Sequence, residues 1–130
     1  MQSIYGSFVG KHILRYPSPR YLNYNWGLGS VLGLIVALQV VTGLLLACYY
    51  RPLGAAAFSD IVFIVNDVAG GYLVKYLHLN GASVIFFVMY VHMFRGLFYR
   101  SFAALPRVWL TGMVLFVLMI VAAFLGYVLP

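Results

Sequence analysis

The chain has 130 residues, of which 65% are hydrophobic and only 8% are charged, and its mean hydropathy is +1.00. Eight lysines and arginines with two acidic residues cannot give a domain of this length a polar surface, which excludes a soluble globular protein. The net charge of +6 does not indicate nucleic-acid binding, because the cations flank apolar stretches as they do in membrane proteins.

A polar and aromatic lead segment, residues 1–28, is too irregular to cross a membrane. Stretches without formal charge then cover residues 21–50, 76–94 and 108–130. A helix rises ~1.5 Å per residue and the hydrocarbon core is roughly 30 Å thick, so each stretch is long enough to span it. We therefore predict an all-α integral membrane protein with three transmembrane helices, at about residues 29–50, 75–98 and 108–129.

The connection between the first two spans contains both acidic residues, Asp60 and Asp67. They are seven residues apart with an apolar run between them, so they share one helical face. This pattern predicts a short helix over residues 58–68 that lies in the membrane interface.

The cations predict how the chain crosses the membrane. They cluster in the lead segment and in the turn between the second and third spans, so these regions are expected on the negative side. The C-terminus then lies on the positive side.

Two histidines, His78 and His92, fall in the second span and are fourteen residues apart. At ~100° per residue, both rings project from nearly the same helix face, roughly 21 Å apart along the axis. Rings so far apart cannot share one metal cluster, and each could instead ligate its own haem iron. The alternative is that both histidines hydrogen-bond between packed helices.

Two pairs of glycines repeat the same fourteen-residue spacing. Gly29 and Gly43 lie in the first span, and Gly112 and Gly126 lie in the third. A flat haem needs neighbouring helices without side chains where its edge approaches, and glycine provides that clearance. Glycine also lets membrane helices pack closely without any cofactor, but three matching pairs favour haem.

These residues resemble cytochrome b of respiratory complex III over nearly the whole chain, from Trp26 to Pro130. The resemblance rests on the segments GSVLG (29–33), QVVTG (39–43), HLNGAS (78–83), HMFRGL (92–97) and FLGYVLP (124–130). The chloroplast relative is similar at YRP (50–52), but NGAS after His78 favours the respiratory branch.

The resemblance implies a role for each matching residue. His78 would ligate a low-potential b-type haem near the positive side, flanked by Gly43 and Gly126. His92 would ligate a high-potential b-type haem near the negative side, flanked by Gly29 and Gly112. Cations near the haem propionates would be Lys75 and Arg95, and the residues expected at quinone pockets are Trp26, Ser30, Gly33, Tyr127 and Pro130.

The chain also departs from the family pattern. Lys75 stands where arginine is usual, which would replace a forked propionate contact by a point contact. Arg100 stands where glycine is common. The second histidine pair of the family has no counterpart, since His12 lies outside the spans. We therefore expect residues 1–130 to be the N-terminal part of a split cytochrome b, completed by a second chain that carries that pair.

The implied function is electron transfer in quinol–cytochrome c oxidoreductase, with quinol and quinone as substrates and coupled proton translocation. The implied partners are the Rieske iron–sulfur protein, cytochrome c1 and lipid, in a dimeric complex of the mitochondrial or bacterial inner membrane. Two alternatives stay open: a cofactor-free structural or transport subunit, and a diverged plastid-type or other two-haem cytochrome.

Overall fold

The computed structural model describes Arg20 and residues 22–129. Within those residues all regular structure is helical. A 3₁₀ turn (Tyr24–Gly27) leads into the α-helices, which are α1 (Leu28–Ala47), α2 (Ala57–Asn66), α3 (Gly71–Phe98), α4 (Ser101–Ala104) and α5 (Pro106–Val128). Three helical segments are long and apolar enough to cross a membrane, namely Tyr24–Ala47, Gly71–Phe98 and Pro106–Val128. The predicted all-α membrane fold is confirmed.

The helix ends differ from the predicted ones for local reasons. α1 ends at Ala47 rather than residue 50, because the chain turns before Pro52, and a residue preceding proline disfavours helical geometry. α3 begins at Gly71 rather than residue 75. Gly70 takes a left-handed conformation (φ 72°) that ends the preceding turn, and Gly71 is buried. Lys75 therefore lies inside α3, not at its start.

The predicted short helix is present as α2 (Ala57–Asn66), and one of the two acidic residues of this segment has a defined partner. Asp60 is only 5% exposed, and its carboxylate accepts hydrogen bonds from Arg51 through the backbone N (2.9 Å), Nε (3.0 Å) and Nη2 (2.6 Å). These bonds lower the pKa of Asp60 and raise the pKa of Arg51. Asp67 lies just past the helix as its C-cap. The ion pair thus joins Arg51, in the loop that follows α1, to α2.

α1 and α3 are the closest pair of long helices, and α5 rests more lightly against α3. At one end of α5 the Trp109 ring covers Gly96, where a Cβ would come within 2.7 Å of Cζ3. Near its middle, the rings of Tyr90 and Phe116 meet edge to face, with centroids 5.7 Å apart. Between these two contacts and beyond them, cavities remain beside α3 and α5.

Most large apolar side chains of the described residues point outward, as a membrane protein requires. The fully buried ones are Ile64 and Ile85, whereas Leu34 and Phe98 are 74% and 81% exposed. Helices can expose such faces to lipid because their backbone hydrogen bonds are satisfied internally.

Candidate functional site

His78 lies on the face of α3 that meets α1, and its ring is held by a hydrogen bond. Thr42 is 4% exposed, and its Oγ1 lies 2.9 Å from His78 Nδ1. The same hydroxyl donates to the Leu38 carbonyl at 2.7 Å. Because its proton is used there, Oγ1 accepts from Nδ1–H of His78. The tautomer that results keeps the Nε2 lone pair available for a metal.

The residue after Thr42 is Gly43, and the space beside the His78 ring is too small for a side chain there. A Cβ at Gly43 would lie 3.1 Å from His78 Cε1, closer than ordinary side-chain contacts. A larger residue would push the imidazole out of its position. Gly43 therefore lies against His78, on the α1 side.

A cavity of about 230 Å³ opens on the α5 side of His78. Gly126 and Tyr127 of α5 line it, together with Gln39 of α1. A Cβ added to Gly126 would meet no protein atom within 4 Å, so protein packing does not require glycine at this position. The cavity therefore brings together His78, Gly126 and Tyr127, of which the first two were predicted to share a site.

His92 has a similar arrangement near the other end of α3. A Cβ at Gly29 of α1 would lie 3.5 Å from His92 Cε1. On the α5 side, His92 and Gly112 line a second cavity of about 280 Å³, and Gly112 likewise has open space at its Cβ position. Each histidine thus has one glycine of α1 against its ring and one glycine of α5 across a cavity.

The two histidines differ in their hydrogen bonding. Nδ1 of His92 is buried and has no partner among the described residues. The reason lies in the sequence, because the position fourteen residues before Thr42 is Leu28, which has no hydroxyl. The imidazole of His92 is therefore less constrained than that of His78.

The two predicted propionate cations occupy different surroundings. Arg95 lines the His92 cavity, its Nε is buried without a partner among the described residues, and its Cζ lies 4.8 Å from the Trp26 ring centroid. Lys75 is not among the residues that line the His78 cavity, and its Nζ lies 5.9 Å from the Tyr76 ring centroid. Arg95 is thus positioned to receive an anion, and Lys75 shows no comparable arrangement.

The predicted quinone residues fall in separate places. Trp26 packs on Arg95 and on the ring of Tyr99, with the two ring centroids 4.9 Å apart. Ser30 and Gly33 are exposed on α1. Tyr127 belongs to the His78 cavity, and Pro130, like His12, lies outside the described residues.

The residues present fit haem better than a metal cluster. No group of three or more histidine, cysteine or acidic side chains comes together within the part of the chain that the structure describes. Instead, two single imidazoles stand apart, each beside a glycine and an open cavity, and one cavity has an orphaned guanidinium N–H. Isolated imidazoles with space for a flat, carboxylate-bearing group suit axial ligation of haem iron.

Two residues of the site were missed in the sequence, Thr42 and Gln39. Both belong to the segment QVVTG, and Thr42 directly precedes Gly43, a predicted haem neighbour. A polar residue within an apolar span is itself a signal of function. What it contacts, however, depends on how α1 is rotated against α3.

The chain is similar to proteins of one family. A family model described as "Cytochrome b/b6/petB" matches residues 13–130. The curated protein "Cytochrome b" of Oryza sativa subsp. japonica is 50% identical over 131 residues, covering 99% of this chain and 32% of that protein. The protein of the same name from Solanum tuberosum is 49% identical over 126 residues, covering 95% of this chain and 32% of that protein.

Among solved structures, a chain of "Hyperthermophilic respiratory Complex III" matches with a TM-score of 0.91 and 27% sequence identity. The match covers 94% of this chain and 31% of the other. The chain therefore spans about a third of the length of the proteins that it matches.

Proposed function

The chain belongs to the cytochrome b/b6 family, and on this basis we propose that it holds two b-type haems and conducts electrons across the membrane within a quinol–cytochrome c oxidoreductase. It is a multi-pass inner-membrane protein with three apolar helices. The plant relatives and the likeness to a respiratory complex III chain support the mitochondrial inner membrane as its location.

The observation that carries the proposal is the repeated set of one histidine and two glycines. His78 lies with Gly43 and Gly126, and the equivalent set around His92 lies roughly 21 Å further along α3. The glycines of α5 support haem over simple packing, because no protein atom lies where their side chains would be. Other glycines have open space too, but Gly126 and Gly112 also line the cavities beside the two histidines, where a flat group could lie.

The chain's own residues would hold and orient these groups. His78 would hold the haem iron through Nε2, with Thr42 fixing the ring through Nδ1. His92 would do the same near the negative side, where Arg95 would neutralise a carboxylate in its cavity. When bound, the haems supply reversible one-electron chemistry. The low-potential haem is assigned to His78 and the high-potential haem to His92.

Each haem would also be held by a residue from another helix, besides His78 or His92. We propose that this residue comes from a segment of cytochrome b that carries a further histidine pair. The Rieske iron–sulfur protein, cytochrome c1 and lipid would complete a dimeric assembly. The likeness to a chain of respiratory complex III supports membership in such a complex.

Quinone chemistry would take place at both membrane surfaces. Trp26, Ser30 and Gly33 are assigned to quinone reduction on the negative side, where Trp26 adjoins Arg95 of the His92 cavity. Tyr127 and Pro130 are assigned to quinol oxidation on the positive side, and Tyr127 lines the His78 cavity. Proton uptake and release on opposite sides would couple electron transfer to a transmembrane gradient.

The test compares His78→Ala and His92→Ala in the purified assembly. Each substitution should remove one b-type haem and abolish electron transfer from quinol to cytochrome c, whereas His12→Ala should retain both haems and activity. If the double variant kept the full haem content of the wild type, the histidines would be packing or proton-path residues of a cofactor-free subunit. A co-purifying acceptor other than cytochrome c would instead indicate a plastid-type or other two-haem cytochrome.

A further inference from the structure

Gln39 is a polar residue in the middle of α1 with no hydrogen-bond partner for its donor group. Its Nε2 is buried and unpartnered among the described residues. An amide N–H that is shielded from water and bonded to nothing is costly, and more so inside a membrane. A bound group with a hydrogen-bond acceptor or a negative charge would stabilise this N–H, and the described residues supply neither.

The α3 helix has a notch that accommodates this amide. A Cβ at Gly81 would overlap with Gln39 Nε2, so the amide fits only because position 81 is glycine. Gly81 lies three residues beyond His78 in the direction of His92, about 4.5 Å along the axis. The amide therefore lies between the two histidine levels, close to that of His78.

Gln39 also lines the His78 cavity, whose walls are otherwise almost entirely apolar. Besides His78, the polar side chains lining it are those of Gln39 and Tyr127. In an apolar cavity, a single amide dipole acts on a neighbouring charge with little screening. A group that gains an electron there would be stabilised by the partially positive N–H.

We propose that Gln39 is a cofactor-tuning residue, whose N–H group stabilises the reduced state of the haem at His78 and raises its midpoint potential. This inference rests on the proposed function. Hydrogen-bond donors and burial are among the means by which proteins set haem potentials. No amide side chain lines the His92 cavity, because the residue fourteen before Gln39 is Asn25, which lies in the 3₁₀ turn before α1 and outside that cavity.

The test is a redox titration of both b-type haems in the purified assembly that carries Gln39→Met or Gln39→Glu. Methionine has a similar length and no donor, so the reduction constant of the His78 haem should fall about fivefold, as expected for one lost hydrogen bond. Glutamate adds negative charge once it is ionised, so at a pH high enough to ionise it the effect should have the same sign and be larger. The His92 haem is the internal control, and its midpoint should stay unchanged. Full haem content with an unaltered midpoint at His78 in both variants would overturn the proposal.

A second variant keeps the amide and only displaces it. Gly81→Ala should push Nε2 out of its notch and lower the same midpoint, even if Gln39→Met fails to assemble. An unchanged midpoint in an assembled Gly81→Ala protein would leave Gln39 as a packing residue. Wild-type protein without b-type haem would instead refute the proposed function itself, so the two failures are distinguishable.

Discussion

Thr42 has the most specific contact with a candidate ligand, because its hydroxyl determines which nitrogen of His78 carries the proton. Thr42→Val keeps the shape of the side chain and removes the oxygen, which leaves Nδ1 without a partner. We expect haem affinity at His78 to fall roughly tenfold, in line with other losses of outer hydrogen bonds around metal ligands. Haem content and a redox titration would measure the loss at that site.

The matched control is Thr42→Ser, which retains the hydroxyl and should retain both haems. The His92 haem should be unaffected in either variant, because Thr42 does not line its cavity. Wild-type haem content in Thr42→Val would show that the hydrogen bond has no part in binding.

Arg100 has an unfavourable backbone conformation that glycine would relieve. It joins α3 to α4 with φ 53° and ψ 38°, a left-handed geometry in which a Cβ is strained by about 1 kcal/mol. Arg100→Gly should therefore stabilise the protein by about that amount, seen as a higher thermal unfolding midpoint of the purified assembly. Arg100→Lys keeps both the charge and the strain and should change little.

Arg107 provides the control for charge. It lies in the first turn of α5, where glycine costs up to about 1 kcal/mol of helix stability. Arg107→Gly removes the same charge as Arg100→Gly, yet it should lower the thermal midpoint. A lower thermal midpoint in both Arg100→Gly and Arg107→Gly would mean that the charge of Arg100 affects stability more than its backbone conformation does.

The glycines of α5 separate the cofactor hypothesis from the packing hypothesis. A methyl group at Gly126 would meet no protein atom within 4 Å but would enter the space at the His78 cavity. Gly126→Ala should thus leave the helices packed and selectively lower haem content at His78. Gly112→Ala should do the same at His92. Haem content and potentials of the purified assembly would check both results.

Gly27→Ala is the control, because this position also has open space and lines neither cavity. It should keep both haems. Full occupancy in Gly126→Ala and Gly112→Ala would contradict the assignment of these two glycines as haem neighbours.

The connection between α1 and α2 should be sensitive to acid through a single carboxylate. Arg51 lowers the pKa of Asp60 in the folded state, so the ion pair stabilises the fold above the ordinary carboxyl pKa of about 4. That stabilisation is lost as the pH falls from there through the lowered pKa. The thermal midpoint of Asp60→Asn should therefore lie below that of the wild type at pH 7, and the difference should shrink below pH ~4.

Asp67→Asn is the comparison, since Asp67 follows the same helix but does not belong to the ion pair. Its difference from the wild type should be small over this pH range. A difference between Asp60→Asn and the wild type that stays constant down to pH 3 would refute the role of the ion pair.

Helices could be predicted from the sequence more fully than the contacts between them. Composition alone indicates three spans, and the fourteen-residue spacing puts His78 and His92 on one face of α3. The partners of Thr42 and Gln39 could not be predicted, because they depend on the rotation of α1 against α3. The ion pair of Arg51 with Asp60 depends on a loop conformation that no periodic pattern encodes.

Arg100 illustrates an intermediate case. The resemblance to cytochrome b implies that glycine is common at this position, but it does not say why glycine is favoured there. The positive φ supplies the reason. Similarly, the hydropathy pattern predicts that α3 begins at residue 75, because it does not show that Gly71 can pack closely on α2 and begin the helix earlier.

Considered together, the three spans form an open arrangement. α5 contacts α3 near Gly96 and at Phe116. The cavities beside the two histidines are lined by residues of both helices. Such an arrangement has few buried side chains of its own and would be stabilised by cofactors that fill the cavities and by further helices. Haem binding and the association of this chain with further helices should therefore depend on each other.

The most direct test of the account is a reduced-minus-oxidised spectrum with a haem count on the detergent-purified assembly, whose polypeptides are then sequenced. The account predicts two b-type haems per copy of this chain, together with a sequence that carries a further spaced histidine pair. An assembly without b-type haem would contradict it, and the fourteen-residue spacings would then reflect helix packing alone.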